Sequence, residues 1–447
     1  MKTRSIAWQC LRHPSQRPLR EVDHLAVSLA PRDRALVRAI VAAEVRRRAT
    51  LHAIVRRFAR GTTEPDVEAF LHIGLVQLYM LDHVPDHAAV GETVEAAARR
   101  LGSKRAGYVN AVLRKAASIR QTGHTGDPRR DIPERDVSFT EPIFTDPVRD
   151  PARFGEDAFN VPAFALVRWI ARHGRERALE IARVALQESD LSLRVTARGA
   201  ESSPATNARD AFSDLLRGAG CTPRNGAHPH VILLPSADSE AVLASAAFRD
   251  GGLTVQGETA LRAAELLAAR PGERVLDLCA APGGKTAVLA ETGASVVATD
   301  KNTERLARVH ETAARLRLGE RIEVVPLETV ARDTRGFDAV LVDVPCSNSG
   351  VLAQRPEARW RLSSDNLASL ARVQAELAEA AAAHVRPGGR LVYSTCSLEA
   401  EENRERVVAF LAAHADFTLD AEIEALPDPR GIAGPVDGGY AARLVRR

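Results

Sequence analysis

Two cysteines stand where this chain could most readily do chemistry. Cys346 lies in Asp343-Val-Pro-Cys-Ser-Asn-Ser-Gly350 and Cys396 in Ser394-Thr-Cys-Ser397, each just after a short apolar run of strand character. The stretch from Leu367 to Val385 between them is an alanine-rich helical pattern. The two runs are therefore expected to be parallel strands joined by a right-handed crossover, and neighbours in one sheet. Adjacent strands lie about 4.8 Å apart, so both thiols can face one cavity. A lone cysteine is most often a small buried hydrophobe. Two cysteines at equivalent strand ends, beside the acid Asp343, are better explained by shared chemistry. A thiolate added at C6 of a cytosine turns C5 into an enamine carbon able to attack a sulfonium methyl group, which splits one hard step into easier ones. A carboxyl such as Asp343 can protonate or hydrogen-bond N3 of the adduct. The product must then lose its C5 proton and expel the thiolate, and a second cysteine can assist that release. The residues by themselves do not say which cysteine does which. Cys10, Cys221 and Cys279 read as structural, and five cysteines without paired spacing argue against a disulfide framework or a zinc site. No metal is expected.

A cofactor loop precedes both cysteines. Leu276-Asp-Leu-Cys-Ala-Ala-Pro-Gly-Gly-Lys-Thr286 leaves a strand pattern, makes a glycine turn and enters a helix pattern. Gly283 and Gly284 let backbone approach a ligand closely, and the helix start offers unpaired N–H groups. Lys285-Thr286 has the look of a phosphate loop, but the required glycine is missing because position 279 is Cys, so a nucleoside triphosphate site is disfavoured. Asp300 ends the next strand pattern, where a carboxylate can accept both ribose hydroxyls of a nucleoside.

These motifs need a sheet to hold them. Arg274–Leu278, Ser295–Asp300, Arg321–Val325, Phe337–Asp343 and Arg390–Thr395 are short strand patterns separated by helical stretches, the texture of a parallel α/β sheet. Ligands of such sheets bind beyond the carboxyl ends of the strands, where every motif above falls. Upstream, apolar residues recur at helical spacing from Arg32 to about Ile119, including Leu36, Ile40, Val41, Val45, Phe70, Ile73 and Leu78. Residues 122–162 are rich in Pro, Asp and Arg without a sustained period and read as a linker. Residues 163–250 mix one helical pattern with short alternating runs such as Val231–Leu234 and suit a small α+β module. The expected boundaries are thus 1–121 helical, 122–162 linker, 163–250 α+β and 251–447 α/β. The length of 447 residues fits several domains rather than one core.

The net charge of +3 is unevenly spread. Residues 1–120 hold 21 Lys and Arg against 11 Asp and Glu, and the remainder holds 40 against 47. A basic front suits a phosphate backbone, whose oxygens pair with forked guanidinium groups. There is no apolar run of about 20 residues to cross a bilayer, and Arg4, Arg12, Arg17 and Arg20 interrupt any secretory leader. A cytoplasmic protein with reduced thiols is expected.

With these strings in hand, the chain resembles the bacterial RsmB-type 16S ribosomal RNA cytosine-5 methyltransferases of the wider Nop/Sun family, over nearly its whole length. The likeness rests on Leu276–Thr286, Asp343-Val-Pro-Cys346, Thr395-Cys-Ser397, Glu401-Glu-Asn403 and Asp437-Gly-Gly-Tyr440. Ile73-Gly-Leu-Val-Gln-Leu78, Val84-Pro85, Glu92-Thr-Val94 and Val109-Asn-Ala-Val-Leu113 look like the NusB-type RNA-binding domain at the front of that family. The resemblance implies an all-α NusB-like domain, a small α+β RNA-binding module and a C-terminal class I, Rossmann-like methyltransferase domain. It implies S-adenosyl-L-methionine as cofactor, held by Cys279, Ala280, Ala281, Pro282, Gly283, Gly284, Lys285, Asp300 and Asp343. It makes Cys396 the nucleophile and gives Cys346 the product-release role. It implies RNA, in particular 16S ribosomal RNA, as partner, with no membrane and no obligate protein partner. The chain departs from the family pattern at Val344, Asn348, Gln256-Gly257 and Gly439-Tyr440, and Glu328 stands where an Asp near the adenine is usual. Two other readings remain: a non-catalytic RNA-binding assembly factor and a cytosine DNA methyltransferase. The complete set of loop, Asp343 and both cysteines counts against the first, and the Thr-Cys motif with a basic helical front against the second.

Overall fold

The computed structural model describes residues 2–13, 18–59, 61–202, 207–428 and 434–447, and divides into two compact units. The first runs to Gln187 and takes in Pro356–Leu362; the second holds the rest.

The first unit is helical. α1 (Lys2–Leu11) and α2 (Pro18–Leu25) precede the long α3 (Pro31–Phe58), which opens on a proline whose missing N–H costs nothing in the first turn. α4 (Pro65–Tyr79) is apolar nearly all round and every residue from Ala69 to Tyr79 is buried, which makes it the central helix. α5 (Asp86–Leu101) and α6 (Ser103–Ser118) are separated by Gly102 alone, in a positive-φ conformation that glycine adopts without strain. The buried Arg4 donates to Gln77 Oε1 at 3.0 Å and pairs with Glu92 at 2.6 Å.

Residues 122–162, expected as a linker, are packed into this unit. β1 (Arg120–Thr122) pairs antiparallel with β2 (Val137–Phe139), and α7 (Pro151–Phe159) follows. Ile132, Phe139, Phe144 and Phe154 are buried, with the Phe139 ring 5.3 Å from that of Tyr79. The segment shows no period because turns shape it: Asp131 Oδ1 accepts from the Thr125 N–H at 2.8 Å, for example. α8 (Ala163–His173) and α9 (Arg175–Val184) also belong here rather than to the expected α+β module. So does Pro356–Leu362, where the buried Arg359 donates to the carbonyls of Asn160 at 3.0 Å and Ala185 at 2.8 Å.

The second unit begins with β3 (Leu191–Val195), α10 (Ala197–Ser202), α11 (Ala208–Gly218), β4 (Arg224–Asn225), β5 (Val231–Leu234), α12 (Ser239–Leu243), α13 (Ala246–Arg249) and β6 (Leu253–Val255). Its strands form an antiparallel sheet in the order β4-β5-β3-β6. Next come α14 (Glu258–Leu266), β7 (Arg274–Asp277), α15 (Gly284–Glu291), β8 (Ser295–Ala298), α16 (Thr303–Leu316), β9 (Ile322–Val324), α17 (Leu327–Ala331), β10 (Phe337–Asp343), α18 (Ser364–Ala383), β11 (Val385–Thr395), α19 (Arg404–Ala413), β12 (Phe417–Ala425) and β13 (Gly439–Arg446). They build a sheet in the order β12-β13-β11-β10-β7-β8-β9.

From β9 to β11 every pairing is parallel, and β13 and β12 add antiparallel strands beyond β11. The five parallel strands are the ones their apolar runs predict. The chain winds outward in one direction from β7 through β8 to β9 and in the other from β10 to β11. The switch between β7 and β10 opens a crevice at their carboxyl ends. Among the described residues no helix is long and apolar enough to cross a membrane.

Candidate active site

β10 and β11 run in parallel register with Asp343 opposite Ser394, so the loops that follow leave the sheet side by side. This brings Cys346 and Cys396 together, with their Sγ atoms 3.0 Å apart. The Cys396 N–H points at Cys346 Sγ at 3.3 Å, and Cys396 Sγ lies 3.3 Å from Asn348 Oδ1. Asn348 is fixed in turn: its Nδ2 donates to the Cys346 carbonyl at 2.7 Å and its Oδ1 accepts from Arg355 at 2.6 Å. Cys346 is buried whereas Cys396 is partly exposed. The neighbouring Cys396 sulfur, its hydrogen bond and burial push the Cys346 thiol well up, and the charge of Glu402 adds to this.

Asp343 joins this pair to the cofactor loop. Its Oδ2 accepts from Lys285 Nζ at 2.7 Å and its Oδ1 from Ser394 Oγ at 2.7 Å. Burial works to lower the Lys285 pKa, but the charges of Asp343 and Cys396 outweigh it and hold the ammonium form.

The loop after β7 is built tightly. Ala280 N–H donates to the Thr299 carbonyl at 2.9 Å, Ala281 N–H approaches Asp300 Oδ2 at 3.3 Å, and the Pro282 carbonyl accepts from Thr312 at 3.0 Å. Gly283 caps α15 at φ +100°, and a Cβ there would come 3.2 Å from Val309 Cα, so only glycine fits easily. Asp300 is buried, with Oδ1 accepting from the Asn302 N–H at 2.9 Å. Three buried polar atoms beside the loop have no hydrogen-bond partner: Asp277 Oδ1, Thr299 Oγ1 and Gln256 Nε2. Arg194 holds Gln256 Oε1 at 2.6 Å, which leaves the amide N–H₂ toward Gly284. Such orphaned groups, an amide donor and a carboxyl acceptor among them, suit a ligand with both a carboxylate and donor groups. Burial and the charges of Asp277, Asp343 and Asp300 push the Cys279 thiol up, which keeps it from acting as a nucleophile. Glu328 sits exposed in the first turn of α17.

For several residues of the singled-out strings it is the fold that shows their part in the site. Glu402, fully buried on a short turn after β11, accepts from Ser347 N–H at 2.9 Å, from Gln374 Nε2 at 2.8 Å and from the hydroxyls of Ser347 and Ser397. It ties the Pro-Cys loop to the Thr-Cys loop through α18. In sequence it lies in Glu401-Glu-Asn403, one of the strings that carry the family resemblance, but the string does not show what it binds. Gly350 sits between the two strand ends, its N–H donating to the Cys396 carbonyl at 3.0 Å and its carbonyl accepting from Gly438 N–H at 2.7 Å. A Cβ on Gly439 would stand 2.5 Å from the Thr395 carbonyl oxygen, which explains why a small residue occupies that place.

Asp277 also supplies a pH signature. Burial pushes its carboxyl up to about 7, against the Thr286 hydroxyl at 2.7 Å and the Lys285 charge. Its unfolded value is about 3.9, so between these limits the folded chain holds a proton that the unfolded chain has lost. Stability from this group is full below pH 4, falls as pH rises toward 7 and is level above it. Asp277→Asn should therefore flatten the decline: thermal melts of the full chain at pH 5 and pH 8 should differ less for the variant than for the wild type. Equal differences in the two proteins would dismiss a buried, proton-holding Asp277.

Comparison with known proteins bears on this arrangement. The family model described as 16S rRNA methyltransferase RsmB/F matches residues 264–433, and that of the NusB family matches residues 1–118. A protein of Vibrio cholerae serotype O1 named ribosomal RNA small subunit methyltransferase B is 32% identical, covering 94% of this chain and 91% of its own. The Xylella fastidiosa strain 9a5c protein of the same name is 33% identical, covering 93% and 92%. Among solved structures, PH0851 aligns with a TM-score of 0.70 at 22% identity over 99% of this chain and 98% of its own. NSun6 from Pyrococcus horikoshii, solved with SFG, aligns with a TM-score of 0.53 at 20% identity over 64% and 98%. Both structural likenesses speak to the fold.

Proposed function

The chain belongs to the RsmB/F family of 16S rRNA methyltransferases, and from that premise we propose that it moves a methyl group from S-adenosylmethionine to C5 of a cytosine in 16S ribosomal RNA. The observation that carries this reading is the 3.0 Å pair of thiols beside the Asp343–Lys285 pair and the glycine turn. In this reading residues 279–285, Asp300 and Asp343 hold the cofactor, with Gln256 and Asp277 offering their unpaired atoms and Glu328, in the first turn of α17, the acid after β9. Bound S-adenosylmethionine would supply an electrophilic methyl on its sulfonium sulfur. The basic residues within 1–120 supply RNA affinity.

The protein's own groups then divide the work. Cys396, the more accessible thiol of the pair and close to the Lys285 charge, attacks C6 as the thiolate. Asp343, paired with the Lys285 ammonium, passes a proton to N3 as charge builds during attack and takes it back when the ring double bond re-forms. Once Cys396 sulfur is bonded to carbon it carries no charge, and two of the causes that hold the Cys346 proton vanish. Cys346 can then lose its proton to solvent and take the one on C5. The C5–H electron pair re-forms the C5–C6 double bond, the C6–sulfur bond breaks, and Cys396 departs as the thiolate.

Purified protein incubated with methyl-labelled S-adenosylmethionine and 16S ribosomal RNA should yield labelled 5-methylcytidine after digestion. Label on another atom, or on DNA in preference to RNA, would overturn the assignment. Changing Gly283→Val together with Asp300→Ala in the full chain should weaken cofactor binding at least ~10-fold by calorimetry, a loss of about 1.4 kcal/mol or more. Unchanged affinity would place the pocket elsewhere.

A further inference from the structure

The helical unit carries a second cluster of ligating groups that the methyl-transfer site does not use. Glu44, Arg48 and His52 follow one another at four-residue spacing along α3, and Glu68 and His72 do the same on α4. The two stripes face each other. His52 Nδ1 lies 2.9 Å from Glu68 Oε1, and the His52 and His72 rings meet edge to face with centroids 4.8 Å apart. One donor atom from each of His52, Glu68 and His72 lies within 4.8 Å of the others.

His72 is the informative residue. It is buried, and its Nδ1 is 3.0 Å from Glu44 Oε1. Glu44 is also gripped by Arg48, Nε to Oε1 at 2.7 Å and Nη2 to Oε2 at 2.9 Å. Held on both oxygens by Arg48, the Glu44 carboxylate is placed to accept from His72 Nδ1–H, which turns Nε2 to the opposite side of the ring. That atom is buried without a hydrogen-bond partner. A carboxylate fixing one nitrogen of a histidine so that the other is free to ligate is the recurring support of metal-bound imidazoles.

We propose that His52, Glu68 and His72 form a site for a divalent transition metal, of the class that zinc occupies, bridging α3 and α4. Two imidazoles and one carboxylate are borderline ligands that suit zinc over magnesium or calcium, which take all-oxygen sets. Bonds of about 2.0–2.1 Å place tetrahedral ligand atoms about 3.3 Å apart, so closing the cluster needs small movements. The side chains of His52 and Glu68, 36% and 29% exposed, have room to make them and leave an entry path for the ion. Three protein ligands leave a fourth position for water.

The test uses untagged full-length protein, stripped with chelator and dialysed against zinc chloride. One equivalent of zinc should be retained, and added zinc should raise the melting temperature in a concentration-dependent manner. His52→Asn and Glu68→Gln, both at partly exposed positions that should fold, should each weaken binding ~10-fold or more. The double change Cys346→Ser with Cys396→Ser separates this site from the thiol pair and should leave that equivalent in place. Cobalt substitution should give ligand-field bands without thiolate-to-metal charge transfer. No retained zinc in the wild type, full retention by His52→Asn, or a cobalt spectrum showing thiolate ligation would each overturn the proposal.

Discussion

Cys396→Ala is expected to abolish methyl transfer and to form no covalent complex with RNA, whereas Cys346→Ala is expected to accumulate one. The two thiols are 3.0 Å apart, so proximity alone does not assign them. Their surroundings do distinguish them. Cys346 is buried and its thiol is pushed up first by Cys396 and then by burial, while Cys396 is reachable and lies near the Lys285 ammonium. Only a thiolate attacks C6, so removing Cys396 removes the adduct. Removing Cys346 leaves attack and methyl transfer intact but takes away the group that accepts the C5 proton, so the ring stays bonded to sulfur. On one denaturing gel, after incubation with 16S ribosomal RNA and cofactor, the Cys346→Ala protein should shift to a stable protein–RNA band and the Cys396→Ala protein should not. Loss of general-base assistance is worth about 10²–10⁴ in rate, enough to make the trapped species the dominant one. A band from Cys396→Ala and none from Cys346→Ala would reverse the roles while keeping the reaction.

The sheet and its ligand-facing loops were legible in the sequence because their signals are local. Apolar runs mark β7 to β11, and Leu276–Thr286 is a strand, turn and helix entry in one string. The crossover through α18 made Cys346 and Cys396 neighbours before any coordinate was known. What escaped depends on contacts far apart in the chain. Residues 122–162 have no period, yet Phe139 and Phe144 are core residues because Tyr79 on α4 waits for them. Pro356–Leu362 lies between two methyltransferase elements in sequence but packs in the helical unit, where Arg48 stacks on Trp360 with its guanidinium carbon 3.9 Å from the ring. The His52–Glu68–His72 cluster spans two helices and has no short motif. Glu402 falls in the Glu401-Glu-Asn403 string, but its contacts were not legible for a related reason: the serines that it binds, 55 and 5 residues away, are gathered around it only by the fold.

Glu402 should therefore matter nearly as much as the cysteines while touching neither reacting atom. Its two oxygens gather the Ser347 N–H and hydroxyl from the loop carrying Cys346, the Ser397 hydroxyl from the loop carrying Cys396, and Gln374 from α18. Gln374 passes the restraint on, donating also to the Pro345 carbonyl at 3.0 Å. Glu402→Ala would leave the Ser347 N–H buried without its acceptor, at about 1–3 kcal/mol, would take one of the partners of Gln374 and of the two serine hydroxyls, and is expected to destabilise the second unit. Glu402→Gln is the more telling change because it keeps the volume. Its amide nitrogen would face the Ser347 and Ser397 hydroxyls, which must reverse from donors to acceptors, and the charge-assisted bonds between the two loops are lost, so the loops are held less tightly. Displacement of a reacting group by 1 Å can cost on the order of 100-fold in rate. Methylation by Glu402→Gln should fall by about that factor. The cofactor loop after β7 makes no hydrogen bond to Glu402 among the described residues, so affinity for S-adenosylmethionine should stay within about twofold, well under the 1.4 kcal/mol of a tenfold change. The rate of Cys396 alkylation by iodoacetamide, measured against pH, should change in the variant, a readout that loss of global stability alone would not move. Wild-type methylation and alkylation profiles in Glu402→Gln would show that the two cysteine loops hold their geometry without it.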